Sequence, residues 1–157
     1  TIGQAKRHLT KTAEKINEKY SDVKAYISVN KALVTQASAA IPIVPLYFAI
    51  LYKVMKVQGT HEGCIEQISR LFHEKLFVEK PVTDEQGRIR MDDWELSDEV
   101  QDKVMECWKN VTTENVTELS DIDGYWQDFY QMFGFHLDGV DYAKDVDLEV
   151  AIPSLEK

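Results

Sequence analysis

The chain has 157 residues, of which 44% are hydrophobic, so it can form one sizeable core and no more. No stretch has the roughly 18 consecutive apolar residues that a membrane span needs, because residues 41–51 are too few and are interrupted by proline. The net charge of −9 argues against a nucleic-acid-binding protein, which needs a basic face.

The charge is divided unevenly along the chain. Residues 1–80 contain 12 Lys and Arg against 7 Asp and Glu, whereas residues 81–157 contain 6 against 20. We interpret the acidic half as a solvated surface, and the basic half leaves room for a local anionic ligand. Cys64 and Cys107 lack the spacing of a metal site. We predict that both are buried, in a protein of a reducing compartment, either the cytoplasm or the mitochondrial matrix.

An amphipathic helix is predicted from the first residues onward, because apolar side chains recur at intervals of three and four. Its apolar positions are Ile2, Ala5, Leu9, Ala13 and Ile16. The pattern begins at once, without an N-cap residue. We therefore expect the polypeptide to continue upstream in the intact protein.

Residues 23–29 alternate between apolar and polar side chains, which predicts a β-strand. Residues 88–91 and 148–152 are weaker strand candidates. Since one strand cannot form a sheet, we expect the neighbours of residues 23–29 to be missing from this chain.

Two prolines interrupt residues 31–56, a segment without acidic residues. Each proline should hold the residue before it, Ile41 or Val44, in an extended or kinked conformation, with regular helix resuming near Leu46. The polar turn at residues 31–38 follows the C-terminal end of the predicted strand, where open α/β sheets bind ligands. We therefore predict that residues 31–38 form the floor of a ligand site.

Further helices are predicted from their cap residues. Gly59 should end the helix that follows the prolines, and Thr60 should cap the next helix. Ser97 should cap a helix with an acidic first turn. Ser120 and Asp123 have the spacing of a capping box at the start of a last helix.

No common nucleotide-binding or hydrolase motif is present. The four histidines are at least 12 residues apart, too far for a helical pair of metal ligands. Asp92 and Asp93 are adjacent, so their side chains point in different directions in a strand or a helix and make a poor acid–base pair.

Several long blocks of the sequence are distinctive. They are TIGQAKRHL, ISVNKALVTQASAAIPIVPLY with LYKVMK, HEGCIEQISRLF, and RIRMDDWEL, followed by GY and DF. Together they extend over nearly the whole chain and resemble the C-terminal portion of the NADH-dependent trans-2-enoyl-CoA reductases, a family that includes the long-form enoyl-acyl-carrier-protein reductases. The resemblance implies an α/β fold: the C-terminal part of a doubly wound, Rossmann-like parallel sheet, mostly helical within this chain. Residues 1–157 would form a single segment of the reductase domain.

The resemblance also implies cofactor-binding residues. Lys6 matches the active-site lysine of the family, whose tyrosine partner would lie nine positions earlier, upstream of this chain. Leu33, Val34 and Thr35 match the loop that receives the nicotinamide end of NADH. The upstream polypeptide, with its catalytic tyrosine and Gly-rich loop, is thus an expected partner.

Two tyrosines are assigned to the acyl substrate by the same resemblance. Tyr125 matches a tyrosine that lines the acyl pocket, and we count it with Lys6 among the catalytic residues. Tyr52 lies on the predicted helix that covers the substrate. We expect these two side chains to set acyl selectivity.

The implied reaction is hydride transfer from NADH to the β-carbon of an enoyl thioester of CoA or acyl carrier protein, in fatty acid synthesis. A tyrosine hydroxyl would stabilise the developing enolate oxygen, and a proton would be added at the α-carbon. This chain alone is expected to be inactive. The alternative is a non-catalytic, mostly helical interaction module that docks a partner through residues 31–56.

Overall fold

The computed structural model describes residues 1–147, which form a mostly helical α/β fold. Its elements are α1 (Ile2–Lys19), β1 (Ile27–Val29), α2 (Gln36–Ala40), α3 (Val44–Gln58), α4 (Cys64–Arg70), β2 (Arg88–Arg90), α5 (Asp98–Asn110), α6 (Val116–Leu119) and α7 (Ile122–Gln131). Helix α4 continues directly into a π-helical turn, Leu71–Leu76. None of the helices in this range is long and apolar enough to cross a membrane. The candidate strand at residues 148–152 lies outside the described residues.

Helix α3 is the centre of the fold. Its buried side chains are Phe48, Ala49, Ile50, Leu51, Tyr52, Val54 and Met55. One side of α3 packs against Val100 and Val104 of α5, and the other packs against Val34 and against Tyr125 of α7. Only a narrow strip near its C-terminal end, with Lys53, Lys56 and Val57, is exposed. Because α3 is buried within its own chain, it does not offer the docking surface that the interaction-module alternative requires.

The start of α3 differs from the prediction. Ile41 is extended as predicted, with φ −89° and ψ 121°, but Val44 is already the first helical residue. Proline is tolerated in the first helical turn because the amides there have no helical partner, so Pro45 does not delay the helix. The turn is made instead by Ile43, whose φ of 74° is unusual for a β-branched residue.

The predicted strand is shorter than its alternating pattern. Strand β1 covers only Ile27–Val29, because the side chain of Asn17 hydrogen-bonds both the amide and the carbonyl of Ala25, at 2.7 and 2.9 Å. We expected the strands that neighbour β1 to be missing from this chain, and this expectation is wrong for one neighbouring strand. Strand β2 pairs with β1 in parallel, in a register that places Ile27 opposite Arg88.

Helix α1 is the least buried element. None of its side chains is buried, and Ile2 and Leu9 are 75% and 57% exposed. The expected absence of an N-cap is wrong, because Thr1 caps α1 in a capping box with Gln4. Helix α1 therefore carries the predicted apolar stripe, but the other described residues cover only part of it.

Two of the four predicted caps are confirmed. Gly59 ends α3 with a left-handed φ of 70°, and Ser97 caps α5 by accepting from the Val100 amide. Thr60 is not a cap, since α4 begins four residues later, after Gly63.

The predicted capping box at the last helix is also wrong. Asp121 caps α7 by accepting from the Gly124 amide at 3.1 Å. Ser120, which follows the end of α6, instead donates its hydroxyl to the carbonyl of Val116, the first residue of that helix. The cysteines depart from expectation as well, because Cys64 is exposed and Cys107 is only half-buried.

We expect the amides of α1 to exchange with solvent much faster than those of α3. Amide protection follows burial and cooperative packing, and α1 buries no side chain whereas α3 buries seven. Hydrogen–deuterium exchange of the chain alone, read by mass spectrometry, measures the difference. Equal protection of α1 and α3 would show that this chain completes its own core, contrary to the prediction.

Candidate functional site

A cavity of about 580 Å³ opens beside the loop that follows β1. Leu33 and Val34 of this loop line it, together with Lys56, His61, Gln127 and Asp128. The cavity therefore lies just beyond the C-terminal end of a parallel strand, where α/β sheets bind ligands. This position agrees with the predicted ligand-site floor at residues 31–38.

Tyr52 and Tyr125 lie in the core next to this loop, in one cluster with Val34. Their side chains are 0% and 2% exposed. Neither hydroxyl has a hydrogen-bond partner among residues 1–147, and burial raises the pKa of both phenols. Two buried hydroxyls without partners are costly, so their presence side by side marks this part of the core as unusual.

Lys31 is buried beside the same tyrosine. It is 2% exposed, and its Nζ donates to the carbonyl of the adjacent Ala32 at 2.8 Å. Nζ also lies 4.9 Å from the ring centroid of Tyr52. Burial lowers the pKa of Lys31 to about 8, against the opposing charges of Glu95, Glu62 and Asp128.

His61 borders both the cavity and Tyr52. Its ring meets the Tyr52 ring edge-on, with the centroids 4.4 Å apart. Burial lowers the pKa of His61 to about 4, and the nearby cations Lys31 and Lys56 act in the same direction. His61 is thus a neutral imidazole at pH 7.

A network of buried polar groups fixes the loop after β1. Glu95 accepts from the Ala32 amide at 2.6 Å and from the hydroxyl of Tyr47 at 2.9 Å. The Lys31 amide donates to the side-chain oxygen of Gln67 at 3.0 Å. The backbone leading into Leu33 is therefore held from two directions.

The block RIRMDDWEL serves mainly to anchor α4. Arg70 binds both carboxylate oxygens of Glu62 at 2.7 Å, and its guanidinium stacks 4.0 Å from the Trp94 ring. Asp93 accepts from Arg70, whereas Asp92 accepts from the side chain of Arg90. The two aspartates face different partners, as predicted, and do not form an acid–base pair.

The sequence-predicted site residues are only partly brought together. Val34, Tyr52 and Tyr125 are in contact, and Leu33 lines the adjacent cavity. Thr35 is exposed and caps α2, with its hydroxyl accepting from the Ser38 amide at 3.1 Å.

Lys6 lies apart from these residues. It is exposed on α1 and lines a separate cavity of about 320 Å³, formed with Ile27, Val29 and Arg88 of the two strands. The described residues thus do not place Lys6 beside Leu33.

Sequence reasoning missed His61, Glu95 and Asp128 as members of the site, and it included Lys31 only as part of the predicted floor at residues 31–38, without a role for its side chain. Lys31 carried one usable signal, since a lysine between a strand and the apolar run ALV is a charge in a segment expected to be buried. The others carried no such signal, because they come from loops and α7 and meet only in the folded chain. Within residues 1–147, no group of His, Cys, Asp and Glu is arranged to hold a metal ion.

Two family models match the sequence. The trans-2-enoyl-CoA reductase catalytic region matches residues 1–77, and the enoyl reductase FAD binding domain matches residues 83–146. Among curated proteins, the enoyl-[acyl-carrier-protein] reductase [NADH] of Cytophaga hutchinsonii is 56% identical over 99% of this chain. This chain belongs to the trans-2-enoyl-CoA reductase family. The resemblance predicted from the sequence blocks is confirmed.

Further members of the family extend the match. The trans-2-enoyl-CoA reductase of Euglena gracilis is 52% identical over 98% of this chain. The crystal structure of a Clostridium trans-2-enoyl-CoA reductase in complex with NADH matches 93% of this chain at 56% identity, with a TM-score of 0.85. The fold therefore corresponds to part of a Rossmann-like enoyl reductase fold.

The chain spans a minor part of each relative. It covers 40% of the Cytophaga protein, 29% of the Euglena protein and 38% of the Clostridium chain.

The segment matched by the FAD-binding model does not suit a flavin dinucleotide. Residues 83–146 contain 5 Lys and Arg against 17 Asp and Glu, whereas a diphosphate needs positive charge or a cluster of free amides. Arg88 and Arg90 are already paired with Asp84 and Asp92. We assign no role to a flavin in this chain.

The pKa of His61 should be measurable as about 4 by NMR titration of its ring protons. The unfolded chain binds a proton below about pH 6.5 whereas folded His61 stays neutral down to about pH 4, so stability should fall as the pH drops through this window. Urea unfolding at pH 7 and pH 4.5 should show a smaller loss in His61→Gln than in the parent. His73→Gln, at an exposed position of the π-helical turn, should keep the parent's loss. An identical loss in His61→Gln and the parent would contradict the assignment.

Proposed function

We propose that this chain is the C-terminal segment of an NADH-dependent trans-2-enoyl thioester reductase. The intact enzyme would transfer hydride from NADH to the β-carbon of an enoyl-CoA or enoyl-acyl-carrier-protein in fatty acid synthesis. The observation that carries the proposal is that reductases named for this activity match 98–99% of the chain at 52–56% identity. We place the enzyme in a reducing compartment, the cytoplasm or the mitochondrial matrix, because Cys64 and Cys107 are both free thiols.

The proposal includes an upstream polypeptide that carries the catalytic tyrosine and the Gly-rich cofactor loop. Its support is the uncovered surface of this chain, since α1 buries no side chain and exposes Ile2 and Leu9. The sheet of residues 1–147 has only two strands, whereas parallel sheets are normally larger and covered on both faces. An upstream polypeptide would cover α1 and extend this sheet.

Leu33 and Val34 suit the nicotinamide carboxamide of NADH. Both line the large cavity, and among residues 1–147 the amide and carbonyl of Leu33 make no hydrogen bond. A carboxamide carries both a donor and an acceptor, so a free peptide group can bind it on both sides. In our proposal the Thr35 hydroxyl exchanges its bond to Ser38 for the carboxamide. When bound, NADH supplies the hydride.

Lys6 and Tyr125 complete the proposed roles. The ammonium of Lys6 would hold the nicotinamide ribose hydroxyls, and its charge would make the upstream tyrosine a better donor to the enolate oxygen. Tyr125 and Tyr52 would shape the acyl pocket, because their rings lie together beside the loop of Leu33 and Val34.

A chimera tests the proposed function. This chain replaces the matching C-terminal part of the Clostridium reductase, to which it is 56% identical, and we call the product the assembled enzyme. The assembled enzyme should oxidise NADH in the presence of a four-carbon enoyl-CoA, whereas this chain alone should not. A folded chimera without this activity would contradict the proposal.

In the assembled enzyme, Lys6→Ala should lower kcat/KM by about ten- to a hundredfold. Loss of a charged hydrogen-bond donor from a closed site costs roughly 1.5–3 kcal/mol. Lys11→Ala, on the same helix, should retain the activity of the parent. Equal steady-state rates in the two variants would show that Lys6 is an ordinary surface lysine.

Tyr52→Ala and Tyr125→Phe should change the ratio of kcat/KM for a four-carbon and a longer enoyl thioester. One methylene in an apolar pocket is worth about 1–3 kcal/mol, so the ratio should move by ten- to a few hundredfold in Tyr52→Ala and less in Tyr125→Phe. Phe48→Leu is the matched control, since it changes volume in the same cluster without altering a tyrosine. An unchanged ratio in both tyrosine variants would mean that neither ring contacts the acyl chain.

A further inference from the structure

Lys31 is the most deeply buried cation of the residues 1–147. It is 2% exposed, and its ammonium makes one hydrogen bond in this range, to the Ala32 carbonyl at 2.8 Å. No carboxylate of the described residues comes within ion-pair distance of Nζ. A buried ammonium with a single hydrogen bond and no direct counter-ion lowers stability, so packing alone does not explain this residue.

The groups around Lys31 come from four parts of the fold. Tyr52 of α3 presents its ring 4.9 Å from Nζ, and Lys56 of the same helix lies 5.8 Å from that ring. The carboxylates that act on Lys31 are Glu62 before α4, Glu95 before α5 and Asp128 of α7. His61 also faces this group and is neutral. Lys31 is thus a cation set among dispersed negative charge rather than a member of one ion pair.

The chain around Lys31 is the start of the loop proposed to receive the nicotinamide. The Lys31 amide donates to Gln67, the Lys31 ammonium donates to the Ala32 carbonyl, and the Ala32 amide donates to Glu95. Both peptide groups that precede Leu33 are therefore fixed by buried side chains. The next residues, Leu33 and Val34, line the cavity.

We propose that Lys31 is a positioning residue for hydride transfer. Its ammonium holds the Ala32 carbonyl and so sets the course of residues 33–35, while its charge lies against the Tyr52 ring beside the site of the nicotinamide. This inference rests on the proposed function. It assigns Lys31 no contact with the substrate, and it explains why a cation occupies an interior position.

Lys31→Met in the assembled enzyme separates this role from a purely structural one. We expect the melting temperature to hold or rise, because a buried charge is removed, while KM for NADH rises about tenfold or more. Lys24→Met, at an exposed position before β1, should match the parent in both measurements. A joint loss of melting temperature and activity, or an unchanged KM for NADH, would overturn the proposal.

The pH dependence gives a second, independent readout. Lys31 has a pKa of about 8, so kcat/KM for NADH in the parent should fall as the ammonium deprotonates above pH 8, and Lys31→Met should lack this decline. The same decline in Lys31→Met would overturn the proposal.

An NMR titration of the parent protein requires no variant. Lysine labelled with ¹³C at Cε reports the protonation of Lys31 in the assembled enzyme without the need for reagent access, and we expect saturating NADH to shift the titration midpoint of Lys31, with Lys24 unaffected. An unchanged midpoint would overturn the positioning role. If the parent turns over and Lys31 behaves like Lys24, only this inference fails. If the parent oxidises no NADH with an enoyl thioester, the proposed function itself fails.

Discussion

The burial of α3 between α5 on one side and α7 on the other is the constraint on which the rest of the structure depends. Helix α5 covers one side, and α7 with the loop after β1 covers the other. The start of α7 is held by two contacts, since the Asp121 amide donates to the Ala49 carbonyl at 2.8 Å and the Asp121 carboxylate pairs with Lys56. These ties bring Tyr125 against Tyr52, and so the same packing that stabilises the core also forms the wall of the candidate site.

The uneven charge of the sequence is explained by the way the two halves meet. Lys56, Arg70 and Lys75 of the basic half pair with Asp121 and Asp93 of the acidic half. The acidic half is thus more than a solvated surface, because part of its charge forms ion pairs with cations of the first half. Lys31 differs from these cations, because the carboxylates of Glu95, Glu62 and Asp128 lie near it but do not form an ion pair with it.

The sequence predicts the helices and the location of the cavity more accurately than it predicts the side-chain contacts around the cavity. Periodicity and caps place α3 and α5, because local patterns encode amphipathic helices. The strand predicted over residues 23–29 is too long, because no local pattern reveals that the Asn17 side chain hydrogen-bonds the backbone amide and carbonyl of Ala25. Glu95, 63 residues from Ala32 in the chain, likewise joins the site through tertiary contacts alone. Family resemblance supplied what periodicity does not, namely the roles of Lys6 and Thr35, which remain predictions.

The central claim is that this chain completes an NADH-dependent enoyl thioester reductase. The most direct measurement is isotope transfer in the assembled enzyme, with NADH deuterated at C4 and a four-carbon enoyl-CoA, and with the product examined by NMR. The account predicts deuterium at the β-carbon of the saturated product and a solvent-derived proton at the α-carbon. Saturated product without deuterium at the β-carbon, or no reduction by a folded chimera, would contradict it.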